Sequence, residues 1–293
     1  MMNVSQMKKS THPFVQLLVL VMFSLLMLLF TAVLTSVLAL AGVDVMSTGN
    51  MLWLQGVTQV LTFVVPVLAM TKLYYRGGEK AYYRLDFGGR KWLLALAGVA
   101  VWLLLVPLVD WLTVWNDSWH WGGVWARLEE ALRSMGEQSE ALIDRFLHRD
   151  SVGALAVNLL VIALVPAVSE ELFFRAGIQN LLQRWFGNAH CAIWVAAAIF
   201  SLGHGEVFAF LPRFLLGAML GYLYVFSGSL IVNMVVHFVN NAVLVVAYWL
   251  YYRGALGVAP DDPMMMPWLL TLCCALAAVG IFYATFVLSR KGE

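Results

Sequence analysis

The chain has 293 residues, 62% of them hydrophobic and only 12% charged, with a mean hydropathy of +0.81. A soluble domain carries about 25% charged residues, so this composition excludes one and identifies an integral membrane protein whose partner is the lipid bilayer. The net charge of +1 and the lack of any basic run interleaved with aromatics argue against nucleic acid as a partner, and the three cysteines, Cys191, Cys273 and Cys274, lie in or beside apolar stretches, which argues against a disulfide framework or a thiolate metal site.

The first apolar run, 14–41, contains no charged residue. It is long enough for a tilted span and too long for the core of a cleavable signal peptide, so it is expected to remain as an anchor. Further apolar runs at about 51–71, 92–115, 152–174, 189–204, 211–226, 229–252 and 267–288 predict eight spans. The expected fold class is therefore all-α, a polytopic membrane helical bundle of about eight transmembrane helices with an amphipathic surface helix. A single membrane domain over 1–293 is expected. Its parts are N-terminal spans with the amphipathic helix (1–150), a core that carries the buried polar residues (151–250), and a last span with a short tail (251–293).

Two connections hold most of the remaining polar residues. The first, 72–91, has paired glycines for turns and aromatics among basic residues, as an interfacial connector does. The second, 116–150, places Trp125, Leu128, Leu132, Met135, Leu142 and Phe146 near helical spacing with charged residues between them, which predicts an amphipathic helix on the outer surface, broken near Gly136. With eight spans, Lys8, Lys9, Lys72, Arg76, Lys80, Arg84, Arg90, Lys91, Arg175, Arg184, Arg290 and Lys291 fall on one side of the bilayer. Only Arg127, Arg133, Arg145, Arg149, Arg213 and Arg253 fall on the other. The positive-inside rule then places both termini in the cytoplasm. No internal repeat and no inverted pair of broken spans is evident. Gly217 and Gly221 form a small-xxx-small pair that lets another helix approach closely.

The polar side chains within the apolar runs are few: Glu170, Glu171, Arg175, His204, His237, Asn240 and Asn241, with Asn158 and Asn233 of lesser weight. An ionisable group at membrane depth costs about 2.5–3.5 kcal/mol on insertion scales, so each needs a partner or a task. Glu171 and Arg175, four apart on a helix, share a face and predict an ion pair. Glu170, rotated about 100° from its neighbour, points elsewhere and lacks that partner. The turn at 185–190 makes a hairpin in which Glu170 and His204 lie at similar depth. Phe200 is one turn before His204, and Gly203 and Gly205 beside it would admit another backbone. His237 and Asn241 share a face of the seventh run. Glu170, His204, His237 and Asn241 are thus expected to converge on one buried polar pocket. A carboxylate, two imidazoles and an amide can activate water and stabilise an oxyanion, which is the chemistry of acyl hydrolysis.

These residues form three motifs: E-E-x-x-x-R at 170–175, F-x-x-x-H at 200–204 and H-x-x-x-N at 237–241. Together, over about 155–245, they resemble the CPBP family, also called Abi, of CAAX proteases and bacteriocin-processing enzymes. The resemblance implies an intramembrane endopeptidase in which Glu170 and His204 activate water, His237 and Asn241 hold the oxyanion, and Glu171, Arg175 and Phe200 support the site. It implies as partner a peptide or membrane-associated protein substrate; entry from the cytoplasm or laterally is expected. The compact chain resembles prokaryotic members linked to peptide processing and self-immunity, so a prokaryotic plasma membrane is the expected location. Metal-independent catalysis is expected and no cofactor is needed. The alternative is a zinc site with Glu170, His204 and His237 as ligands, although no H-E-x-x-H is present. A different class of function, a proton-coupled transporter or a non-enzymatic immunity scaffold, would also place polar groups in the bilayer.

Overall fold

The computed structural model describes residues 11–290, so the basic side chains of Lys8, Lys9 and Lys291 lie outside the described residues. Among the described residues nine principal helices carry the fold and there is no strand. Seven are long and apolar enough to cross a membrane: α1 (Pro13–Leu40), α2 (Thr48–Tyr74), α3 (Lys91–Asp117), α5 (Val152–Phe186), α7 (Val207–Ser227), α8 (Leu230–Tyr252) and α9 (Trp268–Arg290). An eighth, α6 (Ala189–Leu202), is apolar but has only 14 residues, and the amphipathic α4 (Ala126–Leu147) precedes α5. At about 1.5 Å per residue α6 covers about 21 Å, short of the roughly 30 Å hydrocarbon layer. Its C-terminal end lies beside the buried polar residues, with Phe200 against Arg175 and His237.

Contacts between connections sort the helix ends into two groups. At the first end the Leu230 N–H donates to the Arg84 carbonyl (2.9 Å), Ser229 donates to the Asp86 carbonyl, and Phe14 packs on Trp185 at 4.8 Å between ring centroids. At the second end the Arg145 Nη2 donates to the Met46 carbonyl (2.9 Å), the Trp249 Nε1 to the Asp150 carbonyl (2.9 Å) and the Trp111 Nε1 to the Met266 carbonyl (3.0 Å). The chain therefore alternates up and down, and Thr11 and Arg290 lie at the same, first, end. The 72–91 connector, read as a plain interfacial loop, also clamps the start of α8 through its carbonyls.

The lipid-facing and protein-facing sides follow from side-chain chemistry. Leu25 and Leu29 of α1 and Leu276 and Val279 of α9 are exposed, which is what hydrocarbon solvent requires and water would penalise. Small residues let α6 and α7 meet: a Cβ at Gly217 would lie 3.2 Å from the Ala197 Cα, and one at Gly221 2.8 Å from Ile193. This is the close approach expected of that glycine pair. The hairpin between α5 and α6 turns on Gly187, at φ 65, and Asn188 caps α6 by accepting from the Cys191 N–H.

Several local expectations change. Helix α4 runs unbroken through Gly136, because a single glycine weakens a helix without ending it. Arg175, counted from sequence among the connecting segments, lies fully buried inside the 35-residue α5, which reaches well past it, so it does not belong in the charge asymmetry. α6 ends at Leu202, leaving His204 in a turn. A Cβ at Gly205 would meet nothing within 4 Å, but its φ is +75. That glycine serves backbone conformation and not a close approach of another chain segment.

Three π-helical turns interrupt the spans: Val60–Val64 in α2, and Leu159–Leu164 and Leu172–Gln179 in α5. Two of them are followed, two residues on, by Pro66 and Pro166. A proline lacks an N–H and crowds the carbonyl four residues before it, and a widened turn there relieves both constraints. The third begins directly after Glu171, so the two glutamates end an α-helical turn and Arg175 lies in a wider one.

Candidate active site

The site is assembled from α2, α5, α6 and α8. The Glu171 Oε2 accepts from the Arg175 Nε at 3.0 Å, and both side chains are fully buried. This is the ion pair that their spacing predicts. The same oxygen accepts from the Asn233 Nδ2 (3.1 Å), whose amide also donates to the Leu220 carbonyl (2.6 Å). Phe200 covers the guanidinium, with the Arg175 Cζ 5.4 Å from its ring centroid. A buried charge is tolerated only when paired and hydrogen-bonded, and Glu171 meets both conditions.

Glu171 has a second role that helical periodicity did not reveal. Its Oε1 lies 3.0 Å from the His237 Nδ1. A carboxylate only accepts, so Nδ1 donates, and the opposite ring nitrogen is turned toward Glu170. The His237 Nε2 stands 3.8 Å from the Glu170 Oε2, and the other Glu170 oxygen accepts from the Gln59 Nε2 at 2.6 Å. Carboxylates about 100° apart on one helix diverge enough to embrace an imidazole inserted between them.

His204 lies one contact further out. Its ring is 4.9 Å from that of Phe200, which is itself 6.2 Å from that of His237, and the His204 Nδ1 donates to the Phe200 carbonyl at 2.8 Å. Unlike Glu170 and His237, which are buried, His204 is exposed. It sits on the turn 203–206, just before Val207, whose carbonyl accepts from the Asn116 Nδ2 (3.2 Å) at the end of α3. His204 therefore lies toward the second end, on the side of α4. There the Arg133 guanidinium lies 3.9 Å over the Phe208 ring, and Arg213 pairs with Glu206.

The convergence expected from sequence is partial. Glu170 and His237 face each other at 3.8 Å and His204 lies on the far side of Phe200, whereas the Asn241 Oδ1 accepts from the Asn240 Nδ2 (2.8 Å) and does not enter the carboxylate–imidazole network. Both asparagines lie about one helical turn past His237 on α8. The zinc alternative does not fit. Among the described residues no three His, Cys, Asp or Glu side chains stand close enough to hold an ion. Gln59 and the anchoring role of Asn233 were not found from the sequence. The only available signal was an uncharged amide at membrane depth.

The structure thus holds a buried Glu–His–Glu array inside a polytopic helical bundle of membrane-spanning length and composition. Residues 152–243, which carry all three motifs, match the family model described as type II CAAX prenyl endopeptidase Rce1-like, in agreement with the CPBP resemblance. That family is one of proteases, and the matched segment is the part that this integral, multi-pass membrane chain shares with them. No curated protein and no solved structure matches the chain.

Proposed function

We propose that this protein is an intramembrane endopeptidase that hydrolyses a peptide bond in a peptide or membrane-associated protein, with Glu170 as the general base. The observation that carries the reading is the fixed, divided environment of the Glu170 carboxylate. One oxygen is held by Gln59, and the other faces an imidazole whose far nitrogen is bound by the buried Glu171–Arg175 pair.

A water molecule between the Glu170 Oε2 and the His237 Nε2 would touch both, since 3.8 Å is too long for a direct bond and short enough for shared contact. As that water attacks the scissile carbonyl carbon, Glu170 takes one of its protons and the carbonyl π electrons move to oxygen. The carbon–nitrogen bond then breaks, the proton held by Glu170 passes to the departing amine, and the carboxylate is restored. His204, exposed on the turn after α6, and Asn241, one helical turn beyond His237, are assigned to the substrate carbonyl and its developing negative charge. In this reading His237 sits closer to the base than the motif resemblance implies, and His204 closer to the substrate.

Access follows from the same geometry. The exposed His204 turn lies at the end opposite Thr11 and Arg290, and we take substrate to enter there. With the termini in the cytoplasm, as the basic residues favour, the substrate arrives from the outer face or sideways from lipid. Cytoplasmic termini and cytoplasmic access are therefore incompatible, and we favour the former. Purified protein in detergent, incubated with a library of apolar peptides, should generate new peptide termini detectable by mass spectrometry. A folded preparation that cuts none of them while conducting protons in vesicles would contradict the reading.

A further inference from the structure

We infer that Gln59 is a positioning residue for the Glu170 carboxylate, supplied to the site by a helix outside the family-matched segment. The inference rests on the reading of Glu170 as the base. Gln59 ends the first α-helical section of α2, immediately before the π-helical turn Val60–Val64, and its Nε2 meets the Glu170 Oε1 at 2.6 Å across 111 residues of sequence. Among the described residues no other hydrogen bond reaches Glu170, and His237 approaches only the second oxygen, at 3.8 Å.

That contact does three things. An amide N–H on one oxygen restricts rotation of the carboxyl group, so the free oxygen keeps facing His237 and the reacting water. The donor also compensates a negative charge in a buried setting where water does not solvate it. Finally, it ties α2 to α5 at the level of the chemistry. There the rings of Phe63 and Phe173, one from each π-helical turn, pack at 4.9 Å, and a Cβ on Gly56, one turn before Gln59, would lie 3.1 Å from Val161. The π-helical turn shifts the register of every residue after it, so Pro66 and its successors in α2 point elsewhere while Gln59 keeps its place.

The test compares wild type with Gln59→Met, which fills the same space without a donor, and Gln59→Glu, which keeps the shape but replaces the donor with an acceptor. Peptide cleavage should show kcat reduced about tenfold to hundredfold in Gln59→Met with KM changed less than about twofold, as loss of a hydrogen bond to a charged group would give. Gln59→Glu should be at least as impaired, because two carboxylates would then share one short contact. Independently of any activity, the infrared carboxylate stretch assigned to Glu170 by difference against Glu170→Gln should shift in Gln59→Met. A folded Gln59→Met with wild-type kcat and an unmoved band would overturn the inference. If wild type cuts no peptide, the proposed function falls, while the infrared comparison still decides whether Gln59 holds the carboxylate.

Discussion

Glu171 and Arg175 show how far a single spacing carries and where it stops. The i,i+4 relation gives their pairing from sequence, and the structure places it with both side chains fully buried. The contact of Glu171 with His237 was not legible, because it depends on how α8 is rotated against α5, a tertiary fact that no local period encodes. Gln59 was hidden for the same reason, its partner lying 111 residues away. Sharing a face with His237 does not by itself make Asn241 share a hydrogen bond with it, and the Asn241 Oδ1 accepts from the Asn240 Nδ2 instead. Glu171→Gln strips a buried guanidinium of its counter-charge and weakens the hold on His237. Removing one partner of a buried pair costs about 3–5 kcal/mol, so the variant should show a clearly lowered melting temperature in detergent together with reduced cleavage. Unchanged melting would refute the structural role of the pair.

At the scale of elements, spans were legible because hydropathy is additive along the chain, whereas helix ends and turns depend on a few atoms. The fifth run was read to residue 204, yet α6 stops at Leu202, and the two-residue difference moves His204 from a helix face to an exposed turn. The break near Gly136 was expected from one residue and did not occur. Helix α4 was legible as amphipathic, but its attachment was not. The Glu129 carboxylate accepts from the Trp121 backbone N–H (2.8 Å), meets the His120 Nδ1 (2.9 Å) and accepts from the Arg133 Nε (3.2 Å). The Trp121 N–H foremost, with His120 and Arg133 behind it, pulls this carboxyl down to about 2. A lowered folded-state value means that the stabilisation is present above the unfolded carboxyl's ordinary value of about 4.3 and is lost as pH falls through about 2. Hydrogen exchange over 118–135 should therefore accelerate as pH is lowered through that window, after correction for the intrinsic pH dependence. Protection that stays constant to below the lower value would show that Glu129 does not secure α4.

For the whole molecule, composition alone defined the class, and contacts between connections now fix which helix ends lie together. The sequence could not show that the His204 turn and the described chain ends, Thr11 and Arg290, lie at opposite ends of the bundle, because that depends on contacts between distant connections. In a variant lacking Cys191, Cys273 and Cys274, a cysteine at the exposed Gln138 on α4 should react with a membrane-impermeant maleimide added to intact cells. Labelling only after the membrane is broken would invert the orientation and with it the side of substrate access. The chemistry turns on one carboxylate. Cleavage by purified Glu170→Gln, shown by its melting curve to be folded, should fall about a hundredfold to ten-thousandfold below wild type on the same peptide, the range that loss of a general base produces. A folded Glu170→Gln that cuts at the wild-type rate would remove Glu170 from the reaction and leave the buried array without its proposed base.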